Sequence, residues 1–201
     1  MTMRVAVAVS GRGSNLEALL RALGPAAPAR VALVLTDRAD AGALGVAAAH
    51  DVPSQVLGDP ADPAEWLGGL ERHHIDLIVL AGYLKLVPAA VIARYRDRIV
   101  NVHPALLPAH GGRGMYGHRV HQAVLASGDR ESGATVHLVD EAYDRGAILA
   151  QSRVPVLPGD SAERLAARVL EVEHRLLPAV VLAAAAAGRP VPLSEAVELS
   201  P

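Results

Sequence analysis

The sequence predicts an α/β fold: an open, twisted, mostly parallel sheet with helices on both faces and antiparallel additions in its C-terminal half. Three observations predict it. Short runs rich in Val, Leu and Ile alternate with helix-length segments through the first half of the chain, the spacing of right-handed βαβ crossovers. Two later strand-like segments, 133–139 and 147–156, lie a short loop apart, which leaves room for antiparallel pairing but none for a crossover helix. Polar residues gather at strand ends, where ligands of open α/β sheets bind.

Residues 4–9 form the first expected strand, followed by the turn Ser10-Gly11-Arg12-Gly13; Ser14 then caps a helix to about Leu23. Residues 31–35 read as a second buried strand, 41–50 as helix and 52–57 as a third strand. Asp62-Pro63-Ala64-Glu65 opens a helix to about His73, with proline in its first turn. Strands at 75–80 and 99–102 bracket a helix at 88–95. After a glycine-rich loop, 118–126 is helical. Ser161 caps a long helix reaching about Ala187, closed by Gly188 and Pro190. One domain spanning 1–201 is expected, with an irregular tail (189–201).

The composition excludes several classes. Half of the residues are hydrophobic, so this is no disordered tail. The longest apolar stretch, 176–187, is too short for a spanning helix, which needs about 20 residues, and it contains Pro178. A net charge of −2 argues against a nucleic-acid-binding stripe. The absence of cysteine removes disulfides, thiolate metal sites and a thiol nucleophile. With no Phe, one Trp and four Tyr, the core is aliphatic and aromatic stacking platforms are excluded. The first strand starts by Arg4 without a cleavable signal pattern, so a cytoplasmic protein is expected.

Ser10-Gly11-Arg12-Gly13-Ser14-Asn15 joins a strand to a helix, where backbone N–H groups and the helix dipole attract anions. It is neither a P-loop nor the full dinucleotide fingerprint, since Leu16 stands where the third glycine belongs. By itself it is either a monophosphate site or a tight turn. Asn101 and His103 are two apart on a strand and project to one side, at its carboxyl end, with Pro104 keeping His103 extended. That pair favours chemistry over a structural histidine. Asp140, Glu141 and Asp144 follow the strand carrying His137; one carboxylate reaching His103 is the usual second partner of a catalytic imidazole. His137 is as readily a core residue as a functional one. His118 and His121 are spaced for a metal pair, but no third ligand accompanies them, so no metal is expected and a solvent- or loop-facing helix side is the plainer reading. Residues 80–86 are either a pocket wall or ordinary core.

Taken together and in order, residues 10–15, 80–87, 101–108 and 133–146 resemble the phosphoribosylglycinamide formyltransferases, the folate-dependent enzymes of purine synthesis. The resemblance covers roughly residues 3 to 190. The Asn-x-His-Pro-x-Leu-Leu-Pro string and the later Asp are shared with all formyltransferases that use 10-formyltetrahydrofolate. The Gly-Ser-Asn start and Glu173-His174 are similar to the glycinamide branch. The resemblance implies that Asn101, His103 and Asp144 are catalytic, and that Asn101 and a protonated His103 stabilise the oxyanion formed when an amine attacks the formyl carbon. Asp144 would orient His103 and raise its pKa. It implies further that Gly13, Ser14 and Asn15 hold the ribose phosphate and that Glu173 meets the ribose hydroxyls or the amine. Leu84, Lys85, Leu86 and Val87, together with Asn101, Val139 and Asp140, would hold the folate. Lys85 would answer the folate's glutamate tail, and Leu107–Pro108 would be a cis peptide. The resemblance also implies 10-formyltetrahydrofolate as cosubstrate, a phosphate-binding half (about 1–100) and a catalytic and folate-binding half (about 101–190); small-molecule partners, with no nucleic acid and no membrane, in a monomer or homodimer are expected.

Two departures stand out. Some members carry an Arg early in the helix after the third strand, toward the folate tail, and this chain has none between Arg38 and Arg72. The glycine-rich loop 109–117 is also longer than usual. It is expected to be a mobile flap, with Arg113 or Tyr116 closing on substrate. A methionyl-tRNA formyltransferase would need a further domain and a basic surface. The remaining alternatives are a 10-formyltetrahydrofolate hydrolase and a non-catalytic folate- or nucleotide-binding module.

Overall fold

The computed structural model describes residues 2–193; the part of the expected tail beyond Leu193 lies outside them. Strands β1 (Met3–Ala8), β2 (Ala29–Thr36), β3 (Ser54–Val56), β4 (Leu77–Leu80) and β5 (Ile99–His103) alternate with helices α1 (Ser14–Ala22), α2 (Gly42–Ala49), α3 (Pro63–Arg72) and α4 (Ala89–Arg94). Helix α5 (His118–Ser127), β6 (Glu131–Leu138), β7 (Ile148–Pro155) and α6 (Ala162–Ala187) complete the fold. The sheet has seven strands in the order β3-β2-β1-β4-β5-β6-β7. The first five pair in parallel, whereas β6 runs antiparallel to both β5 and β7.

The central strands read as continuous apolar runs because both of their faces are covered. One face, with Val5, Val7 and Val79, packs under α1 and α6 through Leu16, Leu19, Leu176 and Val180. The other, with Ala6, Ile78 and Ile99, packs under α3 and α4 through Trp66, Leu70 and Val91. Trp66 is fully buried and meets Tyr83 edge to face at 5.3 Å.

Local signals place most helix ends. Asp62 caps α3, its side chain accepting from the Ala64 N–H at 2.8 Å, and Pro63 fills the first position. Ser161 caps α6 at 3.3 Å, and Gly188 ends it at φ +73°. Ser14 is a correction: the cap of α1 is Gly13, without any side-chain hydrogen bond, and Ser14 is the first helical residue. The end of α1 is therefore uncapped.

Candidate active site

The chain passes from β1 outward to β2 and β3, then returns to β4 on the other side of β1. This reversal opens a crevice at the carboxyl ends of β1 and β4, the position where open α/β sheets bind ligands. Two hydrogen bonds set its width. The Ser10 N–H donates to the Gly82 carbonyl at 3.0 Å, and the Ser10 hydroxyl accepts from the Leu84 N–H at 3.0 Å. A cavity of about 700 Å³ runs from this crevice past the end of β5. Every site residue expected from the sequence lines it, from Gly13 to Glu173.

At one end lies the N-terminus of α1. Gly13 has φ +86°, a conformation that favours glycine, and a Cβ there would stand 2.8 Å from the Ala43 Cα. The missing side chain lets α2 close behind the loop. With no side-chain cap, the first N–H groups of α1 and its dipole face the cavity. The side-chain amide of Asn15 is committed to α6. Asn15 Nδ2 donates to Glu173 Oε2 at 2.6 Å, both residues are buried, and Asn15 Oδ1 has no partner. Burial pushes the Glu173 carboxyl up to about 7, against the opposing effect of the Asn15 hydrogen bond. Arg12, which sequence reasoning passed over, also lines this end.

At the other end, β5 carries Asn101 and His103 on one side, and the β5–β6 register sets His137 directly opposite Asn101. His137 Nδ1 donates to the Leu138 carbonyl at 2.7 Å, which leaves Nε2 to accept from Asn101 Nδ2 at 3.0 Å. Asp144, at φ +54°, turns its carboxylate between two rings: Oδ1 lies 3.5 Å from His137 Nε2 and Oδ2 lies 3.7 Å from His103 Nδ1. Oδ2 also accepts from the Gly112 N–H at 2.8 Å. Burial opposes ionisation of Asp144, but His137, His103 and the Gly112 N–H together hold its carboxyl below the usual range. Burial, the largest effect, brings the His103 pKa below its ordinary value, while Asp144 pulls it upward, the direction implied for that residue, as does the His110 carbonyl.

Thr135 and Gln151 support the loop after β5. The Thr135 hydroxyl donates to the Ala105 carbonyl at 2.6 Å and accepts from the Leu107 N–H at 3.1 Å; Gln151 Nε2 donates to the Leu107 carbonyl at 2.8 Å. The Leu107–Pro108 peptide is cis, as expected. At the mouth, Lys85 is exposed, Leu84, Leu86 and Tyr116 are partly open, and Val87 is buried. Tyr116 lines the cavity with the Arg119 guanidinium over its ring, whereas Arg113 is exposed and lies outside the lining. No residue of α3 reaches the cavity, so the arginine absent from that helix has no substitute there.

His118 and His121 do not face solvent together. His118 is exposed, with Nε2 3.3 Å from Glu163, whereas His121 is buried in the cavity wall and burial brings its pKa down to about 4. Among the described residues, no three His, Asp or Glu side chains cluster as a metal site. The sequence offered His137 only as an ambiguous residue, and it offered His110 not at all. The alternation of β6 could have suggested His137, but no local signal marks His110.

The formyl transferase family model matches residues 3–181. The chain is 44% identical to a protein of Arabidopsis thaliana named phosphoribosylglycinamide formyltransferase, chloroplastic, over 89% of this chain, and it spans 64% of that relative's length. It is 42% identical to the phosphoribosylglycinamide formyltransferase of Mycobacterium tuberculosis over 92% of this chain and 86% of that one. A crystal structure of the Brucella melitensis phosphoribosylglycinamide formyltransferase superposes with a TM-score of 0.84 at 44% identity, covering 92% of this chain and 97% of that one. A formyltetrahydrofolate deformylase from Pseudomonas syringae is more distant, 26% identical at a TM-score of 0.79, with coverage of 92% and 60%.

Proposed function

Since this chain belongs to the formyl transferase family, we propose that it moves the formyl group of 10-formyltetrahydrofolate onto the amine of 5′-phosphoribosylglycinamide, giving formylglycinamide ribonucleotide and tetrahydrofolate in purine biosynthesis. The observation that carries the reading is the meeting, in one cavity, of an uncapped helix N-terminus with the Asn101, His103 and Asp144 side chains. A hydrolase needs only the second half of that arrangement. A binding module needs neither a buried neutral imidazole nor a carboxylate placed beside it.

The N–H groups of Gly13, Ser14 and Asn15 bind the phosphate, and Glu173 takes the ribose hydroxyls. The half-exposed Leu84 and Leu86 with buried Val87 cover the pterin, next to Val139 and Asp140, and Lys85 meets the glutamate tail. The cavity is large enough for both substrates, since ligand pockets commonly span about 300–1,000 Å³. As the amine bonds to the formyl carbon, the formyl oxygen gains negative charge. The Asn101 N–H not held by His137 stabilises it. The amine must lose one proton and the departing folate nitrogen must gain one. His103, neutral at rest, takes the proton on Nδ1, and Asp144 stabilises the imidazolium until the leaving nitrogen receives it. No covalent intermediate or metal is required.

The test is a spectrophotometric assay with 10-formyltetrahydrofolate, with and without the ribonucleotide. Folate product that forms only with the ribonucleotide is the expected result; release without it identifies a hydrolase, and no release in either case leaves a binding module. The reading extends to a cytoplasmic monomer or homodimer. Fractionation and sedimentation velocity check both points.

A further inference from the structure

We propose that His110 and Asp129 are a positioning pair for His103: their contact holds the His110 carbonyl on His103 Nε2, and so decides which imidazole nitrogen carries the standing proton. Two hydrogen bonds on opposite sides of one residue carry the inference. The His110 carbonyl lies 2.9 Å from His103 Nε2, and the His110 ring Nε2 lies 2.6 Å from Asp129 Oδ2. Between them the His110 backbone is left-handed, at φ +54°, where non-glycine residues are uncommon and persist only when their surroundings hold them. Asp129 is a fixed anchor, because it follows Gly128, which ends α5 in its own left-handed cap.

The same corner grips the second catalytic group. Gly111 packs so closely that a Cβ there would meet the Leu107 side chain and come within 3.3 Å of the Asp144 Cβ. Its neighbour Gly112 donates to Asp144 Oδ2 at 2.8 Å. One short segment therefore accepts from His103 and donates to Asp144. Its only side-chain tie to the rest of the fold, among the described hydrogen bonds, is His110 to Asp129.

The consequence is a contest for one proton. The Asp144 carboxylate, 3.7 Å from Nδ1, draws the proton of a neutral His103 ring to Nδ1, whereas the His110 carbonyl holds it on Nε2. With the carbonyl in place, the Nδ1 lone pair stays open beside Asp144, as a proton acceptor requires. The ionisable groups around His103 are Asp144, His137, His110 and, on α5, His121. The carbonyl also favours the imidazolium, so its loss lowers the His103 titration midpoint.

This role for Nδ1 rests on the proposed transfer reaction, so the test begins without substrates. Long-range proton–nitrogen NMR of histidine-labelled protein reads the His103 tautomer and its titration in the wild type, Asp129→Ala and His110→Phe, with Asp129→Glu as the conservative variant. The expected result is an Nε2–H ring in the wild type, growth of the Nδ1–H form with a lower midpoint in both disruptive variants, and restoration by Asp129→Glu. In turnover, kcat falls roughly 10-fold, less than the ~100-fold of a 1 Å misplacement, while both KM values stay within about twofold. With Asp129 exposed and His110 mostly covered, loss of the pair leaves Tm within about 3 °C. An unchanged tautomer and midpoint in folded variants overturn the proposal. His110→Leu, which removes the ring nitrogen that meets Asp129, carries the same expectation if the others do not fold. Wild-type protein that transfers no formyl group, with the tautomer change still seen in the variants, refutes the reaction and leaves the positioning pair standing.

Discussion

Each residue of this cavity works through what its neighbours leave it. Asn101 gives one N–H to His137 and keeps another for the developing oxyanion. Removing one such donor typically costs about 100- to 1,000-fold in rate, so Asn101→Ala lowers kcat by that range with little change in Tm. His103→Ala abolishes transfer with the fold intact, because its ring is bonded only to the His110 carbonyl; circular dichroism beside the assay checks this. Wild-type turnover in either variant removes that residue from the mechanism. Glu173 makes a prediction of the opposite sign for stability. Its carboxyl titrates near 7 in the folded protein and near 4.5 when unfolded, so between those values the folded state binds the extra proton. Stability therefore falls as pH rises through that window, by on the order of 3 kcal/mol, and is level above it. Glu173→Gln removes the fall, raising Tm at pH 8 far more than at pH 4.5, while KM for the ribonucleotide increases. Equal gains at both pH values refute the assignment.

The elements place these residues by a few close approaches. The phosphate end exists because α2 packs against the loop in front of α1, with the Ala43 N–H on the Gly11 carbonyl at 3.2 Å and no space for a Cβ at Gly13. Gly13→Ala meets both the crowding and the positive φ. It destabilises by more than about 1 kcal/mol and raises KM for the ribonucleotide while leaving that for the folate nearly unchanged. Chemical denaturation and steady-state kinetics measure the two effects, and an unaltered ribonucleotide KM places the phosphate elsewhere. Helix α6 is the second such element. It spans the sheet face, with Glu173 reaching the cavity from its middle and its buried residues joining α1, β6 and β7 in one apolar cluster.

At the scale of the whole molecule, one seven-stranded sheet runs beneath both ends of the cavity, and its two faces carry separate apolar clusters. A single cooperative unit is the expectation. Trp66 reports the cluster under α3 and α4, and far-ultraviolet circular dichroism reports all elements. Their urea transitions coincide if the sheet couples the two faces; separated midpoints show halves that unfold independently. What the sequence determined by itself is local. The alternation of apolar runs and helices, the caps at Asp62 and Ser161, the glycine at 188 and the pairing of Asn101 with His103 all depend on residues within a turn or a strand of one another. What only the tertiary structure decided rests on contacts between distant segments. The β5–β6 register put His137 opposite Asn101, and a slip of one residue would have turned it to the other face. The meeting of α6 with α1 made the Asn15 side chain the partner of Glu173. The folding of the loop after β5 against the end of α5 gave His110 its place. Burial brought the His103 pKa below its ordinary value against the upward pull of Asp144, because desolvation depends on everything packed around a ring and no local spacing encodes it.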